Sequence, residues 1–356
     1  MRTFECTCGG VLFFESTQCV KCSLEVGFCE HCRAITPWTS TDTHHTCNLC
    51  ETKLVKCSNN TELGVCNHGV IHPAEPSDTT GPLCEYCQTT SVIPDLSVPG
   101  NDELWRRLSF AKARVLYGLE ELGFATREND RLVLPGLSFE FLSDDVKPVS
   151  TGHARGVITI NVKEADHVER EKTRVEFDEP QRTLVGHFRH ELGHYFWEQL
   201  VQDHCLAEFR NVFGDETAPM YADAQKAYYQ DGPPEDWQTN YISAYATMHP
   251  WEDFAESFNA YLDMAAVVST AHHFGLTTCD LNDFDEMILE YERIGIVGNE
   301  LNRDIGLLDL VPEVFTKPVI EKLRFIHRLR RNLEPTGRPE ESSSTQRQSQ
   351  MTTPIS

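Results

Sequence analysis

The stretch HFRHELGHYFWEQL (residues 187–200) contains the pattern His-Glu-x-x-His at His190, Glu191 and His194. Residues four apart on a helix share a face, so both imidazoles can reach one zinc ion. Glu191 would then stand at the open coordination position, where a carboxylate can take a proton from water. Bulky apolar residues surround the motif, and buried polar groups in such surroundings are costly unless a partner such as a metal ion satisfies them.

A catalytic zinc site needs a third protein ligand. The third histidine of the pattern HExxHxxGxxH is absent, because His194 is followed by YFWEQL. The later stretch PWEDFAESF supplies Glu252 and Glu256, which are four residues apart and therefore on one helix face. One of them can bind zinc while the other holds a ligand histidine through its second ring nitrogen.

Cysteine is concentrated at the start of the chain, where twelve of the fourteen residues precede position 88. We expect structural zinc rather than disulfides, because the Cys-x-x-Cys pairs present two sulfurs to one ion and no export signal is visible. Nearby histidines (His31, His44, His45, His68 and His72) can each replace a thiol, which leaves other groupings open. In chain order the thiols divide into three groups of four: Cys6, Cys8, Cys19 and Cys22; Cys29, Cys32, Cys47 and Cys50; Cys57, Cys66, Cys84 and Cys87.

The charge balance bears on the partners of the protein. The chain has 31 Lys and Arg against 55 Asp and Glu, a formal net charge of −24, and residues 1–90 carry five basic against ten acidic residues. Phosphate backbones and anionic membranes attract clustered basic residues, so we do not expect nucleic acid or a membrane as partner. A protein partner, or structural support alone, fits the cysteine-rich region better, and a cytoplasmic location is the expectation.

Composition divides the chain into four parts that must position these residues. We predict a zinc-ribbon module over 1–92, a linker over 93–103, a mostly helical domain with a small sheet over 104–335, and a disordered polar tail over 336–356. The fold class is therefore α+β. Within the domain we predict a strand at GVITINV (156–162), a helix from Pro180 to about Val201, and another helix with Pro250 in its first turn.

The sequence EDFAE after an HExxH motif resembles the gluzincin metallopeptidases, and in its ExxAE form the lethal-factor group. The resemblance implies that Glu252 binds the zinc and that Glu256 supports a histidine. It also implies that Tyr245, seven residues before Glu252, donates a hydrogen bond to the oxyanion. His249 is the alternative for that role, and His187, three residues before His190, is either a further contact of the site or a core residue.

A closer resemblance covers nearly the whole chain. It is similar to zinc-binding metallopeptidases that carry an N-terminal zinc-ribbon domain, and the family members lack a segment that corresponds to the second group of four cysteines. We therefore expect one catalytic zinc and two or three structural zincs. The matching stretches are GVCNHGVI, IPDLSVPGNDELWRRLSFAKARVLYGL, TGHARGVITINVKEAD, RTLVGHFRHELGHYFW, FGDE, DGPPEDW, SAYATMHPWEDFAESFNAYL and VIEKLRFIH.

The resemblance implies a zinc-dependent peptidase, expected to be an endopeptidase acting on protein or peptide substrates, with Glu191 as general base. The strand at 156–162 could be an edge strand along which an extended peptide lies, or it could be internal. The alternative function is a zinc-stapled protein-interaction adaptor whose HExxH site is structural or inactive. Glu191 favours the enzyme, because a structural zinc has no need of an acid beside an open position.

Overall fold

The computed structural model describes residues 1–61, 63–72, 81–128, 131–145, 147–176, 183–312 and 315–331. The predicted disordered tail at 336–356 lies outside these ranges. The described chain is a mixture of helix and sheet, with a cysteine-rich module first and a mainly helical domain after it.

The cysteine-rich module is made of short strands that begin or end near cysteines. Strands β1 (Phe4–Glu5) and β2 (Val11–Leu12) form an antiparallel pair. Five further strands form a closed barrel, in which neighbours are antiparallel except for the parallel contact of the first and last strands. These strands are β3 (Val26–Cys29), β4 (Ala34–Ser40), β5 (His45–Cys47), β6 (Lys53–Lys56) and β7 (His68–Ile71). The short helices α1 (Ser58–Thr61) and α2 (Glu85–Gln88) complete the module.

The barrel has very little apolar material of its own. In the described residues its separate cluster of buried side chains consists of Cys29, Trp38, Cys47 and Leu54, and the barrel residues Val26, Phe28 and Ile35 belong to the larger core shared with the domain. So small a core supplies little folding free energy, which is the situation in which a bound metal ion provides the remainder.

The domain contains a four-stranded sheet. Its strands, in order across the sheet, are β12 (Gly152–Ala154), β13 (Val157–Asn161), β11 (Ser138–Leu142) and β8 (Thr90–Val92). Strand β13 is parallel to β11, β11 is parallel to β8, and β12 is antiparallel to β13. Alternate side chains of β11 and β13 are buried, as expected for strands with one face on a core. Two further strands, β9 (Thr126–Glu128) and β10 (Arg131–Val133), form a separate antiparallel pair.

The strand predicted at 156–162 is β13, and the suggestion that it is an edge strand is wrong. Both of its sides are paired, with β11 on one and β12 on the other. The edge on this side of the sheet is β12, a three-residue strand too short to give a sequence signal.

The described residues of the domain also form eight helices: α3 (Asn101–Glu121), α4 (His167–Glu176), α5 (Leu184–Leu200), α6 (Leu206–Phe213), α7 (Tyr221–Asp231), α8 (Pro250–His273), α9 (Phe284–Asp304) and α10 (Lys317–Arg331). The apolar side chains of α3 face the core, since Leu108, Val115 and Leu119 are buried, as is the C-cap residue Leu122.

The predicted start of α5 is corrected by its cap. Pro180 lies outside the described residues, and the described helix begins only at Leu184. Thr183 has an extended backbone, and its hydroxyl accepts a hydrogen bond from the Gly186 amide, as an N-cap residue does. The helix with Pro250 in its first turn, α8, begins as predicted.

The module and the domain share secondary structure and a core. Strand β8 follows the last cysteine of the module directly, yet it pairs with β11 of the domain sheet. Helix α3 lies against the module, where Tyr117 contacts Phe14 with ring centroids 5.0 Å apart. Buried residues from both parts form one continuous hydrophobic cluster.

Candidate metal centre

Two helices bring three potential metal ligands together. Helix α5 carries His190 and His194 one turn apart, and α8 carries Glu252 in its first turn. The Glu252 Oε2 atom lies 3.1 Å from His190 Nε2 and 3.4 Å from His194 Nε2. A tetrahedral site with bonds of 2.0–2.1 Å would place its ligand atoms about 3.3 Å apart. The three side chains therefore fit a zinc ion, and among the described residues no fourth protein ligand joins them.

Burial and charge support the same interpretation. Glu252 is 2% exposed and His194 is 4% exposed. Burial opposes ionisation of Glu252, but the two imidazoles outweigh it and hold the pKa of this carboxyl below its usual range. A carboxylate so buried needs a cation or donors beside it, and its Oε2 atom has no hydrogen-bond donor in the described part of the chain.

Glu256 lies behind His190. Its Oε1 atom is 2.6 Å from His190 Nδ1, on the opposite side of the ring from Glu252. Burial works against the ionised form of Glu256, and the bond to His190 more than compensates, so its pKa is lowered. A carboxylate at this distance favours a proton on Nδ1, which is the tautomer that would present the Nε2 lone pair to a metal ion.

Glu191 follows His190 on α5 and is buried, with 7% of its surface exposed. Burial raises the pKa of its carboxyl, although the two motif histidines lower it. Its Oε2 atom has no hydrogen-bond partner among the described residues. A buried, unengaged carboxyl at a metal centre is suited to holding a proton temporarily.

Two tyrosines lie close to these candidate ligands. The ring of Tyr245, in a short 3-10 helix (Tyr245–Thr247), lies 6.1 Å from the His190 ring. The hydroxyl of Tyr221, at the start of α7, donates to Glu252 Oε1 at 2.8 Å. Tyr221 could not be identified from the sequence, because it lies 31 residues before Glu252 and no recognisable spacing links the two.

The two other candidate histidines have structural partners. His249 is the N-cap of α8, and its Nδ1 atom accepts from the Trp251 amide at 3.1 Å. His187 Nδ1 lies 3.2 Å from a carboxylate oxygen of Glu164. Neither side chain is among the three grouped ligand atoms.

Two aromatic rings lie near the His194 ring. The Trp251 ring lies 3.8 Å from it, centroid to centroid, and His153 of the edge strand β12 is stacked at 6.3 Å. The edge strand of the sheet therefore passes beside the candidate metal centre.

The twelve cysteines of the module form three further clusters. The thiols within each cluster lie within 4.8 Å of one another, and in the described residues no histidine joins them. Neighbouring thiols have Sγ–Sγ distances of 3.6 Å (Cys6–Cys22) and 3.7 Å (Cys8–Cys19) in the first cluster, 3.8 Å (Cys29–Cys50) and 3.7 Å (Cys32–Cys47) in the second, and 3.7 Å (Cys66–Cys84) in the third. A tetrahedron of zinc–sulfur bonds of 2.3 Å has edges of about 3.8 Å, whereas a disulfide bond is about 2.0 Å long. The clusters are the three groups of four taken in chain order: Cys6, Cys8, Cys19 and Cys22; Cys29, Cys32, Cys47 and Cys50; Cys57, Cys66, Cys84 and Cys87.

The structure adds one observation about membranes. None of the helices in the described residues combines the length and the apolar character that crossing a bilayer requires.

Comparison with known proteins places the chain in a family. Residues 101–329 match the family model described as "Putative zinc-binding metallo-peptidase", and residues 3–98 match a zinc-ribbon domain. Uncharacterized proteins of Mycobacterium tuberculosis and Mycobacterium bovis are each 36% identical over 358 residues, which cover 97% of this chain and 100% of the relative. No solved structure matches the chain. The chain belongs to the family of zinc-binding metallopeptidases described by that model, and it carries a zinc-ribbon domain at its N-terminal end.

Proposed function

We propose that the protein is a zinc-dependent endopeptidase in which His190, His194 and Glu252 hold the ion and Glu191 is the general base. One observation carries this proposal. Three donor atoms from two helices converge at the spacing of a tetrahedral ion, and within the described ranges no fourth protein donor fills the remaining position near the buried Glu191. A structural zinc site closes with four protein ligands, whereas a catalytic site keeps one position open.

The chemistry divides between the ion and the side chains. Zinc, when bound, supplies the Lewis acidity that makes water nucleophilic at neutral pH and polarises the scissile carbonyl. Glu191 accepts a proton from the attacking water and passes it to the leaving amine. Tyr245 donates a hydrogen bond to the oxyanion of the tetrahedral intermediate, an interaction worth about 2.7–4 kcal/mol of barrier. Glu256 keeps His190 in the tautomer that a metal ligand requires.

The substrate would lie along β12 rather than along β13. Strand β12 has a partner on one side only within the described sheet, and its His153 lies beside His194. An extended peptide can add to such an edge through main-chain hydrogen bonds, independently of its sequence. This arrangement suits an enzyme that cleaves within protein or peptide chains.

The variant Glu191→Gln tests the proposal. It removes the proton acceptor but leaves the three ligands in place, so zinc content should equal that of the wild type while hydrolysis of a degenerate peptide library falls at least a hundredfold. Glu208→Gln, at an exposed position of α6, is the matched control and should hydrolyse the library at the wild-type rate. Undiminished hydrolysis by Glu191→Gln would refute its role as base.

The same experiment distinguishes the enzyme from the adaptor. A wild-type protein that is fully loaded with zinc and produces no new peptide termini from libraries of varied sequence would favour the adaptor. New termini that disappear in Glu191→Gln and persist in Glu208→Gln would favour the peptidase.

A further inference from the structure

We infer that Tyr221 is a positioning residue that holds Glu252 with one carboxylate oxygen toward the metal centre and the other turned away from it. This inference rests on the proposed metal site, and it concerns how that site is built rather than which bond it cleaves.

The two oxygens of Glu252 have different surroundings. Oε2 faces the Nε2 atoms of His190 and His194, at 3.1 and 3.4 Å. Oε1 accepts the hydroxyl hydrogen of Tyr221 at 2.8 Å. A carboxylate can bind an ion through one oxygen or through both, and a donor on Oε1 favours binding through Oε2 alone. Binding through one oxygen keeps the fourth position free for water.

Tyr221 is itself held by the segment that carries Glu252. Its ring packs edge-on against His249, with centroids 5.3 Å apart, and against Trp251 at 5.8 Å. These two residues are the N-cap and the second residue of α8, immediately before Glu252. The phenol is protonated at neutral pH, since tyrosine ordinarily has a pKa near 10, and it is therefore a permanent donor.

Tyr221 and Tyr245 have different tasks in this arrangement. The Tyr245 ring lies 6.1 Å from the His190 ring, and its hydroxyl is hydrogen-bonded to that of Tyr221, whereas the Tyr221 hydroxyl donates directly to Glu252. Loss of the Tyr245 hydroxyl should lower kcat with little effect on metal binding. Loss of the Tyr221 hydroxyl should lower the affinity of the histidine–glutamate site for zinc.

The test is Tyr221→Phe, which removes the hydroxyl and keeps the ring that packs on His249 and Trp251. Supports of metal ligands typically contribute ten- to a hundredfold in metal affinity. We therefore expect the zinc affinity of the histidine–glutamate site to fall by about that factor, measured by competition with a zinc-binding dye on the full chain. The thiolate sites should keep their zinc throughout.

Cobalt gives a second readout that a change in overall stability would not produce. With zinc retained by the cysteines, Co²⁺ loaded into the histidine–glutamate site should show a weaker visible absorption band in Tyr221→Phe, because binding through both carboxylate oxygens raises the coordination number. Tyr229→Phe is the matched control, since Tyr229 lies on the same helix and is 64% exposed. It should match the wild type in both measurements.

The outcomes separate this inference from the proposed function. Unchanged zinc affinity and an unchanged cobalt spectrum in Tyr221→Phe overturn the positioning role, even if hydrolysis is lost. Weakened zinc binding in a chain whose wild type cleaves no peptide supports the role and counts against the peptidase. Weakened binding in Tyr229→Phe as well would overturn the inference, because it would show a general effect of α7.

Discussion

Gly193 of α5 and Ala255 of α8 lie in direct contact at the crossing of the two helices. A Cβ atom added at Gly193 would come within 2.8 Å of the Ala255 Cα and 3.2 Å of its Cβ. Gly193 is the second of the two variable residues in the HExxH motif, so this close contact between the helices occurs within the motif itself. This contact allows ligands from both helices to reach one ion.

Gly193→Ala should therefore damage the metal centre without touching a ligand. The methyl group meets backbone, which cannot move aside as a side chain does, so the helices must separate. We expect a loss of about 1–3 kcal/mol in the free energy of unfolding. Zinc affinity at the histidine–glutamate site should fall at least about tenfold, by analogy with other changes that displace ligands. Thermal unfolding and dye competition would measure the two effects.

Gly118→Ala provides the control for this change. Gly118 is within α3, and no atom lies within 4 Å of the position of its missing Cβ. Alanine in a helix interior is favoured over glycine by up to about 1 kcal/mol, so this variant should be slightly stabilised and keep its zinc. A Gly193→Ala protein that behaves in the same way would contradict the argument from close packing.

The two glutamates of α8 should differ in their effect on metal content. Glu252→Ala removes the proposed ligand, and native mass spectrometry should find one zinc fewer than in the wild type. Glu256→Ala removes the support of His190 and should weaken zinc binding by about ten- to a hundredfold while the ion remains detectable at saturating zinc. If Glu256→Ala loses the ion and Glu252→Ala retains it, the assignment of the two roles is reversed.

Lys112 should couple the third cysteine cluster to the domain. Its side chain is 2% exposed, and its ammonium donates to the Tyr86 carbonyl at 2.6 Å and to the Thr90 hydroxyl. Four thiolates around Zn²⁺ carry a net charge of −2, so a buried cation nearby offsets part of it. Lys112→Met keeps much of the volume and removes the charge, which should cost about 3–5 kcal/mol.

The measurement for Lys112→Met is thermal unfolding together with zinc counting. We expect a lower melting temperature and reduced zinc occupancy at Cys57, Cys66, Cys84 and Cys87. Lys172→Met, at a side chain that is 65% exposed, should change neither quantity. A Lys112→Met protein with full zinc content and the wild-type melting temperature would show that the ammonium has no such role.

His153 should make stability depend on pH. Burial lowers the pKa of this imidazole to about 4, and the nearby His194 contributes in the same direction. The unfolded chain, with a histidine pKa near 6.5, takes up the proton first as the pH falls. The stabilisation is therefore complete above pH 6.5 and is lost between about pH 6.5 and 4.

His153→Gln should reduce this dependence, because glutamine can still accept from the Gly156 amide but does not titrate. Relative to their values at pH 7.5, wild type should lose on the order of 1 kcal/mol more than the variant at pH 5. Denaturant unfolding at both pH values, with excess zinc, would measure the difference. Parallel pH profiles in the two proteins would show that His153 is not responsible.

Local patterns in the sequence predicted the parts of the site that depend on neighbouring residues. The spacing of His190 and His194 determines that they share a helix face, and the same holds for Glu252 and Glu256. The start of α8 at Pro250 and the strand at 157–161 were also readable, because a proline at a first turn and a β-branched run are local signals.

Contacts between distant segments could not be predicted in this way. The pairing of β12 with β13, which made β13 internal, depends on a three-residue strand. The bond from Tyr221 to Glu252 and the approach of Gly193 to Ala255 depend on how helices pack after folding. Such pairs leave no periodic pattern in a single sequence. The start of α5 is a different case: Pro180 predicts a first helical turn at 180, but Thr183 has an extended backbone and is the N-cap.

Strand β8 has a practical consequence for anyone who divides this protein. Thr90–Val92 follow the last zinc-binding cysteine pair, yet their hydrogen-bonding partner is β11, whose first residue is Ser138. A cut placed after residue 92 would leave β8 on the N-terminal fragment without its partner strand. It would also leave one side of β11 unpaired on the C-terminal fragment. Exchange of the cysteine-rich module between relatives, or its removal, must therefore leave these three residues with the C-terminal domain.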